Sequence, residues 1–354
     1  MRLAPPDRVL LRLPSRLGDF VMAEPAARAV VEAYADAGCV ERVTLCAPGR
    51  LLALFEGCFE GARRLPLAGR EDPAQWRGQR VALFFNGSLG SVLTACRARI
   101  PHRVGWSSGG RGPFLSLAIR RSRELGPRRR LLGRALPRPF GCDCRELVTA
   151  AGIAVRASEP RLFSAARARE RVAERLSAAG VPAGAPVVVV NAGSRPGSAK
   201  AYPDDAWAAA IAALAQSAGH PTVVVAGPGE EERGAAVAAL AGRSCRAPVV
   251  EARADLLELA AWAARASLFV CADGGARHVA KAVGARTLVL FGPTDPRHTA
   301  EHMEREARLA VPVPCGPCHR ERCPLEGAAH HACMRGIQPR DVAGRAARML
   351  AGGA

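Results

Sequence analysis

A glycine turn between Asp273 and His278 combines residue types that suit phosphate chemistry. The segment Asp273-Gly-Gly-Ala-Arg-His278 follows an apolar run and precedes a helical pattern at Ala276–Val283. Glycines let backbone N–H groups approach a pyrophosphate, and the N-terminus of the following helix attracts its negative charge. His278 can add a further donor. An ordinary strand-to-helix turn also uses glycine for tightness, so this segment indicates a phosphate site without requiring one.

A second polar loop follows the apolar run Val187–Val190 and spans residues 191–203. It contains Ser194 and Lys200, and Lys200 is one of only two lysines among 50 basic residues. A compact ammonium group binds phosphate as a point charge, as it does in phosphate-binding loops. Ser194 and Lys200 are therefore candidate contacts to a phosphorylated donor. The alternative for a single lysine is a solvated loop charge.

Glu230 ends a third loop, which follows the apolar run Thr222–Ala226. Its carboxylate can accept hydrogen bonds from a ribose or sugar hydroxyl. It can equally interact with the positive N-terminus of its own helix. Because Glu231 and Glu232 follow directly, the charge pattern alone favours the helix-dipole role.

Asp19 belongs to a fourth loop, which follows the apolar run Val9–Leu13 and also contains Arg16. We expect a helix to begin at Asp19 and to run through Pro25. A carboxylate in that position can cap the helix. It can also be the general base that an inverting sugar transfer needs to deprotonate the acceptor hydroxyl.

These loops require strands to position them, and the sequence predicts such strands. Short apolar runs alternate with alanine- and arginine-rich helical patterns, which indicates βαβ units with parallel sheets buried on both faces. The predicted strands are Val9–Leu13, Arg42–Cys46, Val81–Phe85, Val187–Val190, Thr222–Ala226, Ser267–Cys271 and Thr287–Phe291. The predicted helices include Pro25–Ala37, Ser164–Ala179, Asp204–Ala218, Glu230–Ala241 and Asp255–Ala266.

The length of 354 residues is natural for two domains. We place the boundary near residue 160, which gives doubly wound α/β domains over residues 1–160 and 161–354. Ligands of such sheets bind beyond the carboxyl ends of the strands. The stretch Gly126–Cys144, rich in arginine, proline and glycine, predicts irregular structure. No apolar run reaches the roughly 18 residues of a membrane span, and residues 1–20 lack a signal-peptide core, so we expect a soluble cytoplasmic protein.

Positive charge is concentrated in the first half of the chain. Residues 1–165 contain 27 arginines, no lysine and 14 acidic residues, within a chain of formal net charge +18. Thirteen of these arginines lie between Arg97 and Arg145. Such a field can recruit nucleic acid, an acidic membrane surface or a phosphorylated acceptor. A compositional preference for arginine accounts for the excess equally well.

Taken together, the four loops resemble those of glycosyltransferase family 9, the heptosyltransferases of lipopolysaccharide assembly. The segment ending in Leu17-Gly-Asp19 is similar to the family's Leu/Met-Gly-Asp element, and Gly197-Ser-Ala-Lys-Ala-Tyr-Pro203 to its Gly-x-Ala-Lys-x-Trp-Pro element. Asp273-Gly-Gly-Ala-Arg-His278 resembles its Asp-Thr-Gly-x-x-His, and Phe291-Gly-Pro-Thr-Asp-Pro296 its Phe-Gly-Pro-Thr-Asp-Pro. Each motif is modest alone, but four in the family's order, over nearly the whole chain, are specific.

The resemblance implies a GT-B fold, in which two Rossmann-like doubly wound domains face a cleft. It implies an inverting transfer of heptose from ADP-heptose to the lipopolysaccharide inner core. It also implies the site residues: Asp19 as the base, Lys200 at the donor phosphates, Glu230 at the nucleoside, and Asp273, Gly275 and His278 at the heptose and pyrophosphate. No cofactor is expected for catalysis, because loop donors and Lys200 can stabilise the leaving diphosphate.

Gly274 departs from the family pattern, which has threonine at this position. The change removes a hydroxyl that would reach the donor. Gly274 therefore bears on which sugar is transferred and not on the class of reaction.

The acceptor implied by the resemblance is an anionic, lipid-anchored oligosaccharide, met at the inner face of the inner membrane. Arg16, Arg120 and Arg121 are candidate contacts to its anionic groups. The stretch Phe114–Arg121 is apolar with a basic flank and can rest on a membrane surface. The ordinary alternative is a helix that packs its apolar side inward.

Four cysteines close together near the C-terminus form a candidate metal site, while the other eight suit a buried core. The four are Cys315, Cys318, Cys323 and Cys333, and His319, His330 and His331 lie among them. Reduced thiolates at such spacing can close a tetrahedral site, and iron and zinc both suit sulfur. Heptosyltransferase II-like proteins resemble the chain in this segment, 315–333, as do autotransporter-modifying heptosyltransferases with a cysteine iron site. A surface thiol pair and no bound metal remain the alternatives.

Two other functions are open at this point. One is transfer of heptose to the side chains of an autotransporter protein. The other is a basic, metal-containing nucleic-acid-binding protein, which would show salt-sensitive binding to DNA or RNA. The second leaves the four loops unexplained, and aromatic residues at 5% offer little base stacking, so we expect no nucleic-acid partner.

Overall fold

The computed structural model describes residues 5, 7–121, 138–195, 197–245 and 247–352. The chain divides into two compact units. The first contains residues 1–161 and 297–301, and the second contains residues 162–296 and 302–354. In the described residues of both units, no helix is long and apolar enough to cross a membrane.

The first unit contains a parallel sheet of six described strands in the order β3-β2-β1-β4-β5-β6. The strands are β1 (Val9–Arg12), β2 (Val43–Pro48), β3 (Arg63–Leu67), β4 (Val81–Phe84), β5 (His102–Trp106) and β6 (Leu117–Ile119). Strand β1 pairs with both β2 and β4, so the strand order reverses between β1 and β4. Every residue of β1 and β4 is buried, which explains the apolar sequence of β4 and of Val9–Leu11 in β1.

The helices of the first unit differ from the predicted ones in two places. They are α1 (Leu17–Met22), α2 (Glu24–Asp36), α3 (Gly49–Leu52), α4 (Leu89–Arg97) and α5 (Phe140–Ala150). The expected helix from Asp19 through Pro25 is in fact two helices, because α1 ends at Met22. Part of the stretch Gly126–Cys144 lies outside the described residues, and its last residues begin α5 rather than an irregular segment.

The stretch Phe114–Arg121 is not the helix that we expected as the alternative to membrane contact. A short 3-10 turn ends at Phe114, and residues 117–119 form β6, which pairs with β5 at the edge of the sheet. The alternation of half-buried and exposed residues along β6 fits an edge strand with one face against the unit.

The second unit has the same strand order in a second parallel sheet, β12-β11-β10-β7-β8-β9. Its described strands are β7 (Val188–Asn191), β8 (Thr222–Ala226), β9 (Val249–Arg253), β10 (Leu268–Ala272), β11 (Thr287–Phe291) and β12 (Glu306–Ala310). Its helices are α6 (Ala166–Ala178), α7 (Asp204–Ala218), α8 (Glu231–Gly242), α9 (Leu256–Arg265), α10 (Gly275–Ala282), α11 (Ala332–Arg335) and α12 (Pro339–Leu350). Two doubly wound parallel α/β sheets, as predicted from the sequence, are therefore confirmed.

The core of the second unit holds the loop after β7 in place. Trp207 on α7 packs edge to face on Tyr202, with ring centroids 5.0 Å apart. The Tyr202 hydroxyl donates a hydrogen bond of 2.9 Å to the carbonyl of Ile337, and both residues are buried. Apolar residues of α12, including Met349, complete the same core. Tyr202 therefore anchors the loop that carries Lys200.

Candidate functional site

The loops after β7 and β10 lie at the point where the strand order of the second sheet reverses. Strand β7 pairs with β8 on one side and with β10 on the other. From β7 the chain winds towards β8, and from β10 it winds towards β11 in the opposite direction. The loops that leave such a pair of strands separate and form a crevice, where doubly wound sheets bind ligands.

The carboxylate of Asp273, the first residue after β10, accepts hydrogen bonds from three side chains. Its Oδ2 atom accepts hydrogen bonds from Lys200 Nζ at 3.1 Å and from Thr294 Oγ1 at 2.6 Å. Its Oδ1 atom lies 3.2 Å from Arg277 Nη1. Burial alone would raise the pKa of Asp273, but Lys200, Thr294 and Arg277 together hold it below its usual value. The structure thus brings Lys200 and Asp273, 73 residues apart in sequence, into direct contact.

Arg277 connects Asp273 to a second buried carboxylate, that of Glu306. The Arg277 Nε and Nη2 atoms each donate to the Glu306 carboxylate at 2.7 Å, and both side chains are fully buried. Lys281 Nζ at 3.5 Å and Arg308 Nε at 2.8 Å also contact this carboxylate. Burial would raise the pKa of Glu306, but Arg277 and the two other cations lower it. Bidentate pairing of this kind fixes the guanidinium plane.

The glycine turn opens α10 as predicted. Gly274 occupies the N-cap position in extended backbone, and the helix begins at Gly275, so the first-turn N–H groups belong to the donor-binding segment proposed from the sequence. His278 is buried, and its burial together with the Arg277 charge lowers its pKa to about 3. Its imidazole is therefore neutral at physiological pH and offers one N–H donor.

Glu230 lies beside the β7 loop rather than over the N-terminus of its helix. It precedes the first residue of α8 and makes no side-chain cap hydrogen bond. Its carboxylate lies against Gly193, where a Cβ atom would come within 1.9 Å of Glu230 Oε2. Burial raises the pKa of Glu230. Glu231 instead accepts the Gly229 backbone N–H at 2.7 Å, so the helix-terminus role that the charge pattern favoured for Glu230 belongs to Glu231.

A cavity of about 1060 Å³ lies next to Glu230 in the second unit. Ser194 lines this cavity, and its hydroxyl accepts a hydrogen bond from Arg233 Nη1. The Nε atom of Arg233 donates a second hydrogen bond to Asp204 at 2.6 Å. Its lining residues include Ser194, Tyr202, Glu230, Arg233, His330, His331 and Arg335. Of the predicted donor-binding residues, Ser194 and Glu230 line this cavity. Lys200 contacts the Asp273 carboxylate, and Gly274, Gly275 and His278 follow Asp273 at the start of α10.

Asp19 is placed in the first unit at the carboxyl end of β1. It is half-buried, in the first turn of α1, and Arg16, an exposed residue, holds the N-cap position without a side-chain cap hydrogen bond. Asp19 is therefore not the cap of this helix, which was one of its two predicted roles. Its role as a general base stays a prediction.

The arginines predicted to contact an anionic acceptor have different surroundings. Arg120 and Arg121 are both exposed. The Arg121 guanidinium stacks on Trp106, 4.2 Å from the ring centroid, and its Nε atom lies 3.3 Å from Asp143. Burial raises the pKa of Asp143 in spite of this pairing. Part of the Arg121 charge is therefore already compensated inside the unit.

The cysteine segment, residues 315–333, lies in the second unit. Cys323 Sγ and the ring nitrogens of His330 and His331 lie within 4.8 Å of one another. In the described part of the chain this is the only group of three or more such ligand atoms that meets that distance. Cys315 is exposed, Cys318 is half-buried and Cys333 is buried. Burial raises the pKa of Cys333, and the nearby Cys315 and Cys318 thiols raise it further. The metal site formed by the four cysteines stays a prediction.

Sequence reasoning missed three residues that organise this site. Thr294 lies in the motif Phe291–Pro296, and this motif was the sequence signal that could have identified it as a site residue. Arg277 also lies within a motif, but nothing in the sequence pairs it with Glu306. Arg233 follows two glutamates, and no pattern links it to Ser194, 39 residues earlier.

Comparison with known proteins identifies a family whose members this chain resembles in sequence. The model of glycosyltransferase family 9 (heptosyltransferase) matches residues 77–329. Lipooligosaccharide heptosyltransferase 2 of Campylobacter jejuni subsp. jejuni is 32% identical over 84 residues, which are 23% of this chain. That aligned segment spans 25% of the Campylobacter protein.

Two solved structures show the same fold over almost the whole chain. Escherichia coli ADP-heptose lipopolysaccharide heptosyltransferase II superposes with a TM-score of 0.71 at 18% identity, covering 98% of this chain and 99% of that one. The iron-containing dodecameric glycosyltransferase TibC of enterotoxigenic E. coli gives a TM-score of 0.58 at 16% identity, covering 99% of this chain and 78% of that one.

Proposed function

Because this chain belongs to glycosyltransferase family 9, we propose that it is an inverting heptosyltransferase of lipopolysaccharide biosynthesis, with a GT-B fold and ADP-heptose as its donor. The acceptor in this proposal is the lipopolysaccharide inner core. The observation that supports the proposal most directly is the convergence of Lys200 and Thr294 on Asp273, at the crevice of the second sheet.

The residues around Asp273 place several cations near the proposed diphosphate. Lys200, Arg277, Lys281 and Arg308 contact the carboxylates of Asp273 and Glu306. Lys200 is the most exposed of them, with 37% of its side chain accessible. We therefore assign to Lys200 and to the N–H groups at the start of α10 the stabilisation of negative charge on the leaving diphosphate.

The nucleoside end of the donor fits the cavity beside Glu230. Ser194, Glu230 and Arg233 place a hydroxyl, a carboxylate and a guanidinium along one wall of it. A carboxylate whose pKa is raised by burial accepts hydrogen bonds from ribose hydroxyls with little competition from water. We assign the contact to the donor's ribose to Glu230.

The chemical step in this proposal needs one proton acceptor. Asp19 takes the proton of the acceptor hydroxyl, the resulting oxygen attacks the anomeric carbon, and the bond from that carbon to the diphosphate oxygen breaks. ADP leaves from the face opposite the attack, so the configuration at the anomeric carbon inverts. Cation and N–H contacts supply the charge stabilisation, so no metal is assigned to this step.

The acceptor in this proposal is anionic and lipid-anchored, and the enzyme meets it at the inner face of the inner membrane. Arg16 and Arg120 are exposed and are assigned to its carboxylates or phosphates. Arg121 adds a cation that Asp143 partly compensates. The proposal also includes a structural metal ion in the cysteine segment.

The test is a donor screen on the purified protein. ADP and ADP-heptose are expected to raise the melting temperature, because a ligand that binds only the folded state stabilises it. UDP- and GDP-sugars should leave the melting temperature unchanged. Transfer should follow with ADP-heptose and delipidated inner core, and an autotransporter passenger domain should give no product. No melting shift with ADP or ADP-heptose would contradict the donor, and product only with the passenger would contradict the acceptor.

A further inference from the structure

The amino-terminal edge of the first sheet carries a cavity lined by arginines. The cavity has a volume of about 640 Å³, and its lining includes Arg77, Arg80, Arg97 and Arg99. We infer that these four arginines, the arginine pocket, bind the phosphate group of a ligand at a site separate from the donor crevice and from Asp19.

Two neighbouring strands position the arginine pocket. Arg77 and Arg80 lie in the turn that enters β4, whereas Arg97 and Arg99 lie at the end of α4, just before β5. Strands β4 and β5 pair in parallel, so the two segments meet at the same edge of the sheet. The backbone N–H of His102 donates to the carbonyl of Arg80 at 3.2 Å. The sheet therefore sets the spacing between the two halves of the pocket.

The turn before β4 is held by hydrogen bonds to other strands. The carbonyl of Arg8, directly before β1, accepts the backbone N–H groups of Arg80 at 2.8 Å and of Val81 at 3.0 Å. The side-chain Nε2 atom of Gln79 donates to the hydroxyl of the buried Thr44 on β2 at 3.1 Å. The arginine side chains thus extend from an ordered backbone, and binding requires little ordering of this turn.

The arginine pocket has more positive charge than its surroundings compensate. Arg80 Nε lies 3.3 Å from Asp7, and within the described part of the chain this is the only carboxylate paired with the four arginines. The C-terminus of α4 contributes about half a negative charge, which Arg97 alone exceeds. All four side chains are exposed, so an anion can reach them. Guanidinium groups around one cavity repel one another, and a phosphate relieves this repulsion by accepting their paired N–H donors.

Arg99 occupies a position where glycine is the ordinary residue. Helix α4 ends at Arg97, and Arg99 follows in left-handed backbone with φ of 59°. The backbone N–H of Arg99 donates to the carbonyl of Cys96 at 3.0 Å, and that of Ile100 donates to the carbonyl of Ala95 at 3.0 Å. This is the Schellman pattern of a helix end, in which glycine has the least steric cost. An arginine here adds a cation to the pocket at the expense of the helix end, which favours a role in binding.

The pocket and the proposed base lie at opposite edges of the first sheet. Asp19 follows the carboxyl end of β1, whereas the arginines precede β4 and β5. Strand β4 has four residues, so roughly 13 Å separate its two ends. A cavity of this size accommodates a small phosphorylated compound. That phosphate is either free in solution or part of a lipid headgroup, and the inference does not rest on the proposed function.

Titration of the full-length protein with two probes distinguishes these sources. Inorganic pyrophosphate is the free probe, measured by calorimetry at constant ionic strength and with saturating ADP, so that the donor crevice is occupied. Vesicles of phosphatidylglycerol in phosphatidylcholine are the lipid probe. Pyrophosphate binding in the presence of ADP assigns the pocket to a free phosphate, and vesicle binding alone assigns it to a headgroup. Absence of binding to both probes would overturn the inference.

Single substitutions test whether the probe that binds does so at the arginine pocket, with circular dichroism to confirm folding. Arg77→Gln and Arg97→Gln should each weaken its affinity by about tenfold, because each removes a charge-assisted hydrogen-bond donor. Arg50→Gln is the matched control, since it removes the same charge from an exposed position in α3, beyond the carboxyl end of β2. Equal losses in all three variants would reveal a general charge effect and would overturn the inference.

Arg99→Gly separates binding from folding. Glycine suits the left-handed position, so the melting temperature should equal or exceed that of the unsubstituted protein. Affinity for the probe should nevertheless fall by about tenfold, because the cation is lost. An unchanged affinity in this variant would overturn the assignment of the phosphate to the arginine pocket. If ADP does not bind to the protein, the proposed donor is at fault, and the comparison of these variants is unaffected.

Discussion

Two buried glutamates, one in each unit, show opposite ways of accommodating a charge. Glu306 in the second unit contacts Arg277, Lys281 and Arg308, and these cations lower its pKa although its side chain is fully buried. Glu24 in the first unit pairs with Arg28 at 3.1 Å and accepts the Arg161 backbone N–H at 2.9 Å. Burial outweighs these two contacts and raises the pKa of Glu24 to about 7.

In these two groups the surrounding charges decide the direction of the pKa shift, because three cations surround Glu306, whereas Glu32 opposes the effect of Arg28 and Arg161 on Glu24. Desolvation raises the pKa of both carboxyls, and only the group with several cations overcomes it. The second unit thus keeps buried charge compensated around Asp273 and Glu306, where we place an anionic donor. The proposed base, Asp19, belongs to the first unit, where it is half-buried in the first turn of α1. The expected division is a preorganised donor site in one unit and a proton acceptor in the other.

Asp19→Asn tests whether the proton acceptor lies in the first unit, and it should have the largest effect on activity. Loss of a general base is expected to lower kcat by about 10²- to 10⁴-fold, while ADP affinity stays unchanged because the donor contacts lie in the second unit. Steady-state kinetics and ADP titration measure the two quantities. Asp36→Asn, the same change at an exposed position of the first unit, is the control. A kcat for Asp19→Asn close to that of the control would remove Asp19 from the base role.

Glu306→Gln should destabilise the second unit strongly. The substitution removes the charge of the carboxylate that Arg277 contacts through Nε and Nη2, and breaking a buried ion pair typically costs about 3–5 kcal/mol. Chemical denaturation measures the free energy of unfolding. Glu304→Gln, two residues earlier and exposed, should change it by less than about 0.5 kcal/mol. Equal values for the two variants would mean that the network contributes little.

Glu24→Gln should change the pH dependence of stability in the first unit. Between the ordinary pKa of 4.5 and the folded value of about 7, the folded chain holds more protons at Glu24 than the unfolded chain does. The free energy of unfolding therefore falls as pH rises through this window, by about 2–3 kcal/mol from this group. Glu24→Gln should remove that part of the slope, measured by denaturation from pH 4.5 to 7.5. A parallel pH profile for both proteins would contradict the raised pKa.

The sequence was most informative where a strand is buried on both faces. Thr222–Ala226 and Thr287–Phe291 were predicted with their observed bounds, because a short, continuous apolar run between turn residues is typical of a strand in the middle of a parallel sheet. The strands at the sheet edges were missed. In β3 (Arg63–Leu67), arginines and a proline face partly outward at the edge, so the apolar run is interrupted.

Some features of the candidate site were likewise predictable from the sequence, and others were not. The order of the four loops was predictable, since each follows an apolar run and three of them carry a family motif. Contacts between loops were not, because the hydrogen bond from Thr294 to Asp273 and the approach of Glu230 to Gly193 depend on how neighbouring strands are paired. The spacing of the cysteines likewise gives no sign that a turn brings Cys323 to two histidines.

Lys200→Ala gives a smaller effect than the loss of Asp19 or Glu306. Lys200 is partly exposed, and Thr294 and Arg277 still hold Asp273 after its removal. We expect ADP affinity to fall by about tenfold, with folding stability changed by less than about 1 kcal/mol. Arg243→Ala removes an exposed cation from α8's C-terminal end and should leave ADP affinity unchanged. Equal losses in both variants would indicate a general charge effect rather than a direct contact.

Gly274→Thr should have the smallest effect on the fold and the most specific effect on function. Gly274 has φ of −158°, which is extended backbone open to any residue, and a Cβ atom there would meet nothing closer than the Ala272 carbonyl oxygen at 3.9 Å. Threonine therefore fits without strain, and we expect the free energy of unfolding to change by less than about 0.5 kcal/mol. The added hydroxyl should alter the ratio of kcat/KM between ADP-heptose and other ADP-sugars. An unchanged ratio would show that this position does not contact the sugar, and that donor choice depends on residues elsewhere around Asp273.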